Sequence, residues 1–274
     1  MTDHIPFSDG HTIPSLGLGV WQIPDDQTPD IVSSAIKAGY RLIDGAFIYG
    51  NEVGMGKGIA SSGVPRDDLF ITSKLWNSEQ GYDKTRRAIE ASLQRIGLDY
   101  LNLCLIHWPC PTKDLYVETW KAFVDAQQDG QLRSIGVSNF NPDHLDRIIG
   151  ETGVTPVLNQ IEVNPRLVQA EMRAENDRRN IVTQAWTPLG QLLSFDAPAI
   201  QSIADRLGRS PAQIILRWHL QLGVSVIPRS TEIAHLKQNL ETADFTLTES
   251  DMAAINALDE GVRCGPDPVD FEDE

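Results

Sequence analysis

Short apolar runs alternate with amphipathic segments along nearly the whole chain after residue 15. The segments between the runs repeat their apolar side chains at helical spacing. The pattern predicts eight strands, at 16–20, 41–43, 69–73, 101–106, 134–137, 157–162, 181–185 and 225–227. It predicts helices at 29–38, 82–96, 116–128, 142–149, 169–179, 211–221 and 232–240, and a further one at 249–258.

The order of these elements favours one architecture. Eight strand–helix units without a linker predict an α/β protein, a single (β/α)8 TIM barrel spanning residues 1–274, a fold that needs about 250 residues. A doubly wound sheet is the competing fold. It usually has a third glycine after its first strand, whereas Gly17-Leu18-Gly19 is followed by Trp21-Gln22.

Two segments lie outside the repeat. Residues 1–14 place apolar triplets on either side of Ser8-Asp9-Gly10-His11, which predicts an N-terminal β-hairpin able to plug one end of the barrel. The C-terminal helix leads into a tail at 259–274 that could fold over the opposite mouth. Residues 267–274 carry five acidic side chains, and we expect them to form a solvated end.

The net charge of −15 narrows the expected partners. An acidic surface repels phosphate backbones and anionic lipid, so we expect neither nucleic acid nor membrane to bind. Cys104, Cys110 and Cys264 show no metal or disulfide spacing, and residues 1–10 lack the apolar segment of a signal peptide. No run reaches the length of a membrane span. A cytoplasmic protein without a metal site is therefore expected.

Four polar residues follow three of the predicted strands closely. Asp44 and Tyr49 follow the second strand, Lys74 the third and His107 the fourth. The carboxyl ends of parallel strands are where α/β barrels build their sites. A lysine ammonium beside a phenol stabilises the phenolate and should lower its pKa, so the phenol becomes a better proton donor.

The four residues together suggest a proton-donating site. Asp44 can hold Lys74 charged, and His107 can orient a substrate oxygen. The set supplies an acid but no reductant, so a cofactor must bring hydride if a carbonyl is reduced. Taken singly, each residue has a plainer structural explanation, as a loop tyrosine, a solvated lysine, a core histidine or a turn aspartate.

The sequence motifs around these residues resemble those of the aldo-keto reductases. The motifs occur in order, as DGAFIYGNE at 44–52, TSKLW at 72–76, LIHWP at 105–109, GVSNF at 136–140, NQIE at 159–162, TPLG at 187–190 and IPRS at 227–230. They span almost the whole chain. Within that superfamily the chain is most similar to the prokaryotic 2,5-diketo-D-gluconic acid reductase group.

The resemblance implies a barrel that reduces aldehydes or ketones with a nicotinamide dinucleotide. Tyr49 would be the general acid, Lys74 its pKa modifier, Asp44 the partner of Lys74 and His107 the carbonyl orienter. The implied cofactor-binding residues are Ser138, Asn139 and Gln160 at the carboxamide, Trp186 stacked on the nicotinamide, Leu189, Gly190 and Gln191 along the pyrophosphate, and Gln238 and Asn239 at adenine.

The 2′-phosphate region departs from the pattern of the family. Relatives have basic residues there, and this chain offers Arg229, Ser230 and Thr231, followed by Glu232 and His235. Arginine suits a phosphate, but a carboxylate repels one and suits a ribose hydroxyl. We expect NADP(H) to be favoured, with NAD(H) possible. Gly45 is a second departure, because the family usually has Thr or Ser there. Because glycine has no side chain, we expect the backbone at this position to be more flexible than in relatives.

The expected substrate pocket is aromatic. Its walls would be Trp21, Phe47, Trp76 and Trp108, which suits small carbonyls, α-keto esters and diketones, and keto-sugar acids only if Arg263 supplies a cation. A monomer is expected. The competing functions are a nicotinamide-binding sensor barrel with little turnover and a phosphate-handling isomerase. The loop after the eighth strand is not glycine-rich, which disfavours the isomerase.

Overall fold

The computed structural model describes residues 3–273, and their main feature is a closed parallel barrel. A separate antiparallel hairpin consists of β1 (His4–Pro6) and β2 (Thr12–Pro14). The barrel strands are β3 (Leu18–Gly19), β4 (Leu42–Asp44), β5 (Phe70–Leu75), β6 (Leu101–Ile106), β7 (Leu132–Ser138), β8 (Leu158–Glu162), β9 (Val182–Trp186) and β10 (Ser225–Val226). Each pairs in parallel with the next along the chain.

The barrel closes between its first and last strands. Gly17 N–H donates to Val226 O at 2.8 Å, and Val226 N–H donates to Ser15 O at 2.9 Å. Closure therefore pairs the first strand with the last. In a doubly wound sheet these two strands would be unpaired edges. The predicted (β/α)8 barrel with its N-terminal hairpin is therefore confirmed.

Helices connect the strands and form the outer layer. Within residues 3–273 they are α1 (Thr28–Ala38), α2 (Glu52–Ser61), α3 (Tyr82–Ile96), α4 (Tyr116–Gln128), α5 (Pro142–Thr152), α6 (Ala170–Arg178), α7 (Pro198–Leu207), α8 (Pro211–Gln221), α9 (Ile233–Leu240) and α10 (Glu249–Asn256). Helix α5, predicted at 142–149, begins at Pro142 and extends to Thr152, before a left-handed Gly153. None of the helices in the described range is long and apolar enough to cross a membrane.

Helix α2 was not predicted, because glycines at 54, 56 and 58 lower its helix propensity. The structure explains these glycines by close packing. A Cβ on Gly56 would lie 1.9 Å from Ile96 O of α3, and one on Gly54 would lie 2.4 Å from Asp25 O. Helix α7 was also missed, although Ile200, Ile203 and Ala204 give it a regular buried face.

The hairpin fills the amino-terminal end of the barrel. Phe7 and Ile13 pack with Leu42, Phe70 and Leu103 in an apolar cluster at that end. A second and larger apolar layer lies between the strands and the helices. The bottom of the barrel is therefore a packed core, and the carboxyl ends of the strands remain for chemistry.

Candidate active site

The four predicted catalytic residues converge at the carboxyl end of the barrel. Asp44 ends β4, Lys74 lies in β5, His107 follows β6, and Tyr49 ends a short 3₁₀ turn, Phe47–Tyr49. Lys74 Nζ donates to Asp44 Oδ1, to Gly45 O at 2.9 Å and to Tyr49 Oη at 3.3 Å. The rings of Tyr49 and His107 meet edge to face at 5.8 Å.

Lys74 and Asp44 form a buried ion pair, with 2% and 1% of their surface exposed. Burial opposes the charge on Lys74, but the attraction of Asp44 and of the phenol outweighs it and raises the pKa of Lys74. The ammonium therefore remains charged at neutral pH. Gln160 Nε2 donates to the second oxygen of Asp44 at 2.9 Å, so that carboxylate has a donor on each oxygen.

The environment of Tyr49 corrects one detail of the prediction. Lys74 lowers the pKa of the phenol, as expected, but burial acts more strongly in the other direction and the net pKa of Tyr49 is raised. The phenol therefore stays protonated at neutral pH. It remains able to protonate an alkoxide, which is a much stronger base than a phenolate.

His107 is held neutral. Burial and the nearby Lys74 charge keep the pKa of His107 well below its usual range. Its carbonyl accepts a hydrogen bond from Asn139 Nδ2 at 3.0 Å, while its Nδ1 is buried without a partner among residues 3–273. A neutral imidazole can donate one N–H to a substrate oxygen without adding a charge.

The residues expected to hold the nicotinamide lie on the next strands. Ser138 and Gln160 belong to β7 and β8, Asn139 follows β7 in a left-handed conformation (φ 62°), and Trp186 ends β9. Trp186 Nε1 donates to Asn139 Oδ1 at 2.9 Å, and Ser138 Oγ donates to Gln160 O at 2.7 Å. These contacts fix the orientation of the indole beside the amide groups.

Gln160 has a second set of contacts that the sequence did not reveal. Its Nε2 is shared between Asp44 and Gln184 Oε1, which lies at 2.7 Å. Gln184 in turn donates to Ser225 Oγ at 3.0 Å. This buried chain of amides connects the barrel interior to the Lys74–Asp44 pair. The alternation of side chains along a strand could have indicated Gln184, because it lies two residues before Trp186.

The segments expected to hold the pyrophosphate and 2′-phosphate are loops above β9 and β10. Gly190 and Gln191 both have positive φ, and a Cβ on Gly190 would lie 3.2 Å from Asn164, so the turn that also contains Leu189 is tightly seated. Arg229 and Thr231 are exposed, and Ser230 is half-buried.

Residues of and before α9 have different exposures. Glu232 is the residue before α9, its N–H donates to Ser230 Oγ at 3.1 Å, and it is exposed, as are His235 and Gln238. Asn239 differs, because it is only 4% exposed and lies beside the Tyr40 hydroxyl. Its side chain is therefore largely inaccessible to a nucleotide in this structure.

Two of the four predicted wall residues pack directly around His107. The Trp76 ring lies edge to face at 5.2 Å and the Trp108 ring is nearly parallel at 6.4 Å. Trp21 is 47% exposed and lies after β3. Phe47 is 36% exposed, and its ring lies 4.8 Å from the guanidinium of Arg95, towards α3.

The C-terminal tail covers this mouth, as predicted, but it is not simply a solvated end. The Phe271 ring packs against Trp108 in a tilted arrangement, with 4.3 Å between the ring centres. Glu272 accepts a hydrogen bond from Thr112 N–H at 2.9 Å, and the Asp273 carbonyl accepts one from Asn77 Nδ2 at 2.8 Å. The sequence did not indicate Phe271 as part of the pocket, because composition alone makes the tail look mobile.

A buried carboxylate fixes the start of the tail. Glu162, fully buried at the end of β8, accepts hydrogen bonds from Cys264 N–H at 2.6 Å and Gly265 N–H at 3.2 Å. A Cβ on Gly265 would lie 2.5 Å from the Trp186 ring. Glu162 lies two residues after Gln160 on the same face of the strand, and this spacing was the available signal.

Gly45 is better ordered than expected. Its N–H donates to Thr72 O at 3.0 Å and its carbonyl accepts from Lys74. A Cβ there would lie 2.9 Å from Met55 Sδ, so the methionine occupies the space that a larger side chain would need. The expectation of a looser backbone is wrong at this position.

A closed parallel barrel that carries an ion-paired lysine beside a phenol at its carboxyl end is the arrangement that the resemblance to barrel reductases implies. A protein-family model described as the aldo/keto reductase family matches residues 15–260. The chain belongs to that family. This confirms the resemblance and the assignment to the NAD(P)H-dependent oxidoreductases of the superfamily.

Individual relatives match over almost their whole length. An aldo-keto reductase of Mycolicibacterium smegmatis is 49% identical over 271 residues, covering 99% of this chain and 98% of the relative. Methylglyoxal reductase DkgA of Escherichia coli is 44% identical over 269 residues, 97% of each chain. A crystal structure of a Gox0644 mutant in complex with NADPH matches with a TM-score of 0.95 at 45% identity, covering 99% of both chains.

Proposed function

We propose that this protein reduces small aldehydes, ketones and α-dicarbonyls to alcohols with NADPH, with Tyr49 as general acid. The observation that carries the proposal is the 3.3 Å contact of the Tyr49 hydroxyl with a lysine that Asp44 keeps charged. Methylglyoxal is the first substrate to test, because a relative 44% identical bears that activity in its name.

NADPH, when bound, supplies the hydride. As negative charge grows on the carbonyl oxygen, Tyr49 donates its proton to it, and Lys74 stabilises the phenolate left behind. Neutral His107 donates a hydrogen bond to the same oxygen and fixes its position. Water then returns a proton to Tyr49.

The pocket suits small and uncharged substrates. Trp76, Trp108 and Phe271 make its outer part apolar. Arg263, the candidate partner for a sugar acid, lies 3.4 Å from Asp267 and is already paired. We therefore rank keto-sugar acids below neutral dicarbonyls. We also propose a monomer, because one chain contains the whole set of site residues.

The residues present fit a phosphorylated cofactor. Arg229 is exposed, and Ser230 and Thr231 stand with it just before the N-terminus of α9, where backbone N–H groups favour anions. Glu232 opposes this preference with one negative charge. NADPH is therefore favoured, while NADH should remain usable.

The test is the loss of nicotinamide absorbance with methylglyoxal and a panel of neutral and anionic carbonyls, for NADPH and NADH in parallel. Arg229→Ala should lower kcat/KM with NADPH by roughly tenfold to a hundredfold, since a charge-assisted hydrogen bond contributes about 1.5–3 kcal/mol. The NADH value should not change. Arg133→Ala, an exposed arginine at the start of β7, is the matched control. Cofactor binding without turnover on any carbonyl would support the sensor alternative.

A further inference from the structure

Beside the catalytic tetrad lies a second buried carboxylate, Glu52. It is the first residue of α2 and is 2% exposed. Its Oε1 accepts hydrogen bonds from Ser73 Oγ and Ser92 Oγ, both at 2.6 Å, and its Oε2 accepts one from Arg95 Nε at 2.7 Å. Ser73 belongs to β5, and the other two donors belong to α3.

These contacts bracket Tyr49 in sequence. Phe47, two residues before Tyr49, packs under the Arg95 guanidinium at 4.8 Å, and Glu52, three residues after it, binds the same guanidinium. One arginine of α3 therefore holds both ends of the segment that presents the phenol. Ser73, which also binds Glu52, immediately precedes Lys74 on β5.

Tyr49 and Lys74 lie in the two segments that these contacts connect. The two groups come from different elements, a 3₁₀ turn and a strand, and they are 3.3 Å apart, at the long end for a hydrogen bond. A cavity of about 290 Å³ lies between β5 and α3, and Phe47, Ser73 and Arg95 are among the residues that line it. This space lets the turn move if its contacts are lost.

We propose that Glu52 is a positioning residue that sets the distance between the Tyr49 hydroxyl and the Lys74 ammonium. It acts through its bonds to Ser73 and Arg95 and does not touch substrate or cofactor. This inference rests on the proposed role of Tyr49 as general acid. It adds that the rate of proton donation depends on a carboxylate outside the tetrad.

The groups that influence the pKa of Tyr49 come from the neighbouring barrel strands. Tyr49 is influenced by Lys74 of β5 and Asp44 of β4, and its ring meets His107 after β6. Weakening the contacts of Glu52 should move Tyr49 away from Lys74 without removing any of these groups. The phenol would then lose part of the cationic influence that lowers its pKa, and it would become a weaker acid.

Two variants test the proposal. Glu52→Gln keeps the shape and an acceptor for the serines but places an amide N–H₂ against Arg95. Ser73→Ala removes one hydroxyl and leaves all charges in place, so it decides the question if Glu52→Gln does not fold. We expect kcat to fall by roughly tenfold to a hundredfold in Glu52→Gln and less in Ser73→Ala, because small misplacements of catalytic groups have effects of this order.

The KM for the carbonyl and the affinity for NADPH should not change, and the alkaline fall of kcat should move to higher pH. The matched control is Asp251→Asn on α10. Asp251 is also a buried carboxylate, 8% exposed, and it accepts hydrogen bonds from Arg206 at 2.7 Å and Thr248 N–H at 2.9 Å. The Asp251→Asn variant should lose thermal stability as Glu52→Gln does, while its kcat and the pH profile of kcat should not change.

The outcomes separate this inference from the proposed function through a third variant, Tyr49→Phe. If Tyr49→Phe is inactive while Glu52→Gln and Ser73→Ala keep the wild-type kcat and pH profile, the positioning role is refuted and the general acid stands. If Tyr49→Phe remains active, the proposed function itself fails. If Glu52→Gln changes kcat and the pH profile and Asp251→Asn does not, the positioning role is supported.

Discussion

Replacing Lys74 with methionine should separate catalysis from stability at the centre of the site. The change keeps the length of the side chain and removes the ammonium that binds Asp44 and lies 3.3 Å from the Tyr49 hydroxyl. General acid catalysis contributes about a hundredfold to ten-thousandfold, and we expect kcat to fall by that order. NADPH affinity should be largely retained, because Lys74 lies among the proton-transfer groups.

The same variant leaves Asp44 buried, 1% exposed and without its cation. Breaking a buried ion pair costs about 3–5 kcal/mol, which lowers Tm by an amount on the order of 10 °C for a chain of this size. Burial already raises the pKa of Asp44 against the opposing effects of Lys74 and Gln160, and without Lys74 the rise is greater.

This stability loss should depend on pH with a definite sign. A carboxyl whose pKa is higher in the folded than in the unfolded state stabilises the fold less as pH rises above its unfolded value. The Lys74→Met defect, measured by thermal or urea unfolding against wild type, should therefore be larger at about pH 8 than at about pH 5. Adding Asp44→Asn should recover most of the stability and none of the activity. A Lys74→Met variant with near wild-type kcat, or a double variant as unstable as the single one, would refute the reasoning.

Three further substitutions have outcomes that the packing decides. Gly265→Ala places a Cβ 2.5 Å from Trp186 and should weaken NADPH binding measured by fluorescence, with little change in Tm; unchanged affinity would contradict the proposed cofactor seat. Phe271→Ala should raise the KM for aromatic aldehydes more than that for methylglyoxal, and equal changes would argue against a wall at the mouth. Gly56→Ala places a Cβ 1.9 Å from Ile96 O and should lower Tm strongly, while kcat of the folded fraction is preserved. An unchanged Tm would show that α2 and α3 can separate freely.

Much of the fold could be predicted from the sequence, because the spacing of apolar residues follows the order of strands and helices in the barrel. Every barrel strand and most helices lie where apolar spacing placed them. Helix α2 could not be found in this way, since its glycines lower its helix propensity. Close tertiary contacts explain these glycines, for example Gly56 against Ile96 of α3 and Gly54 against Asp25. Helix propensity depends only on the local sequence, so it gives no information about such tertiary contacts.

The candidate site was predictable where chemistry and strand ends coincide. Asp44, Tyr49, Lys74 and His107 meet as expected because parallel strands bring their carboxyl ends together. The raised pKa of Tyr49 could not be predicted, since it depends on how deeply the phenol is buried. The cofactor contacts and the catalytic roles stay predictions, as does the cytoplasmic location.

Contacts between distant segments were the other gap. Phe271 reaches Trp108 across more than half the chain, and Glu162 binds backbone N–H groups of the tail. Phe271 has no local sequence signal beyond its residue type, and Glu162 has only its position two residues after Gln160 in β8. Such long-range pairs require the topology first, because the closed barrel determines which loops face each other.

The most direct test of the central claim is a single-turnover measurement of NADPH oxidation with methylglyoxal by Tyr49→Phe, at saturating enzyme. Phenylalanine keeps the ring beside His107 and removes only the hydroxyl that meets Lys74. We predict a rate lower by about a hundredfold or more, with NADPH affinity unchanged. A single-turnover rate close to that of the wild type would contradict the assignment of Tyr49 as the proton donor.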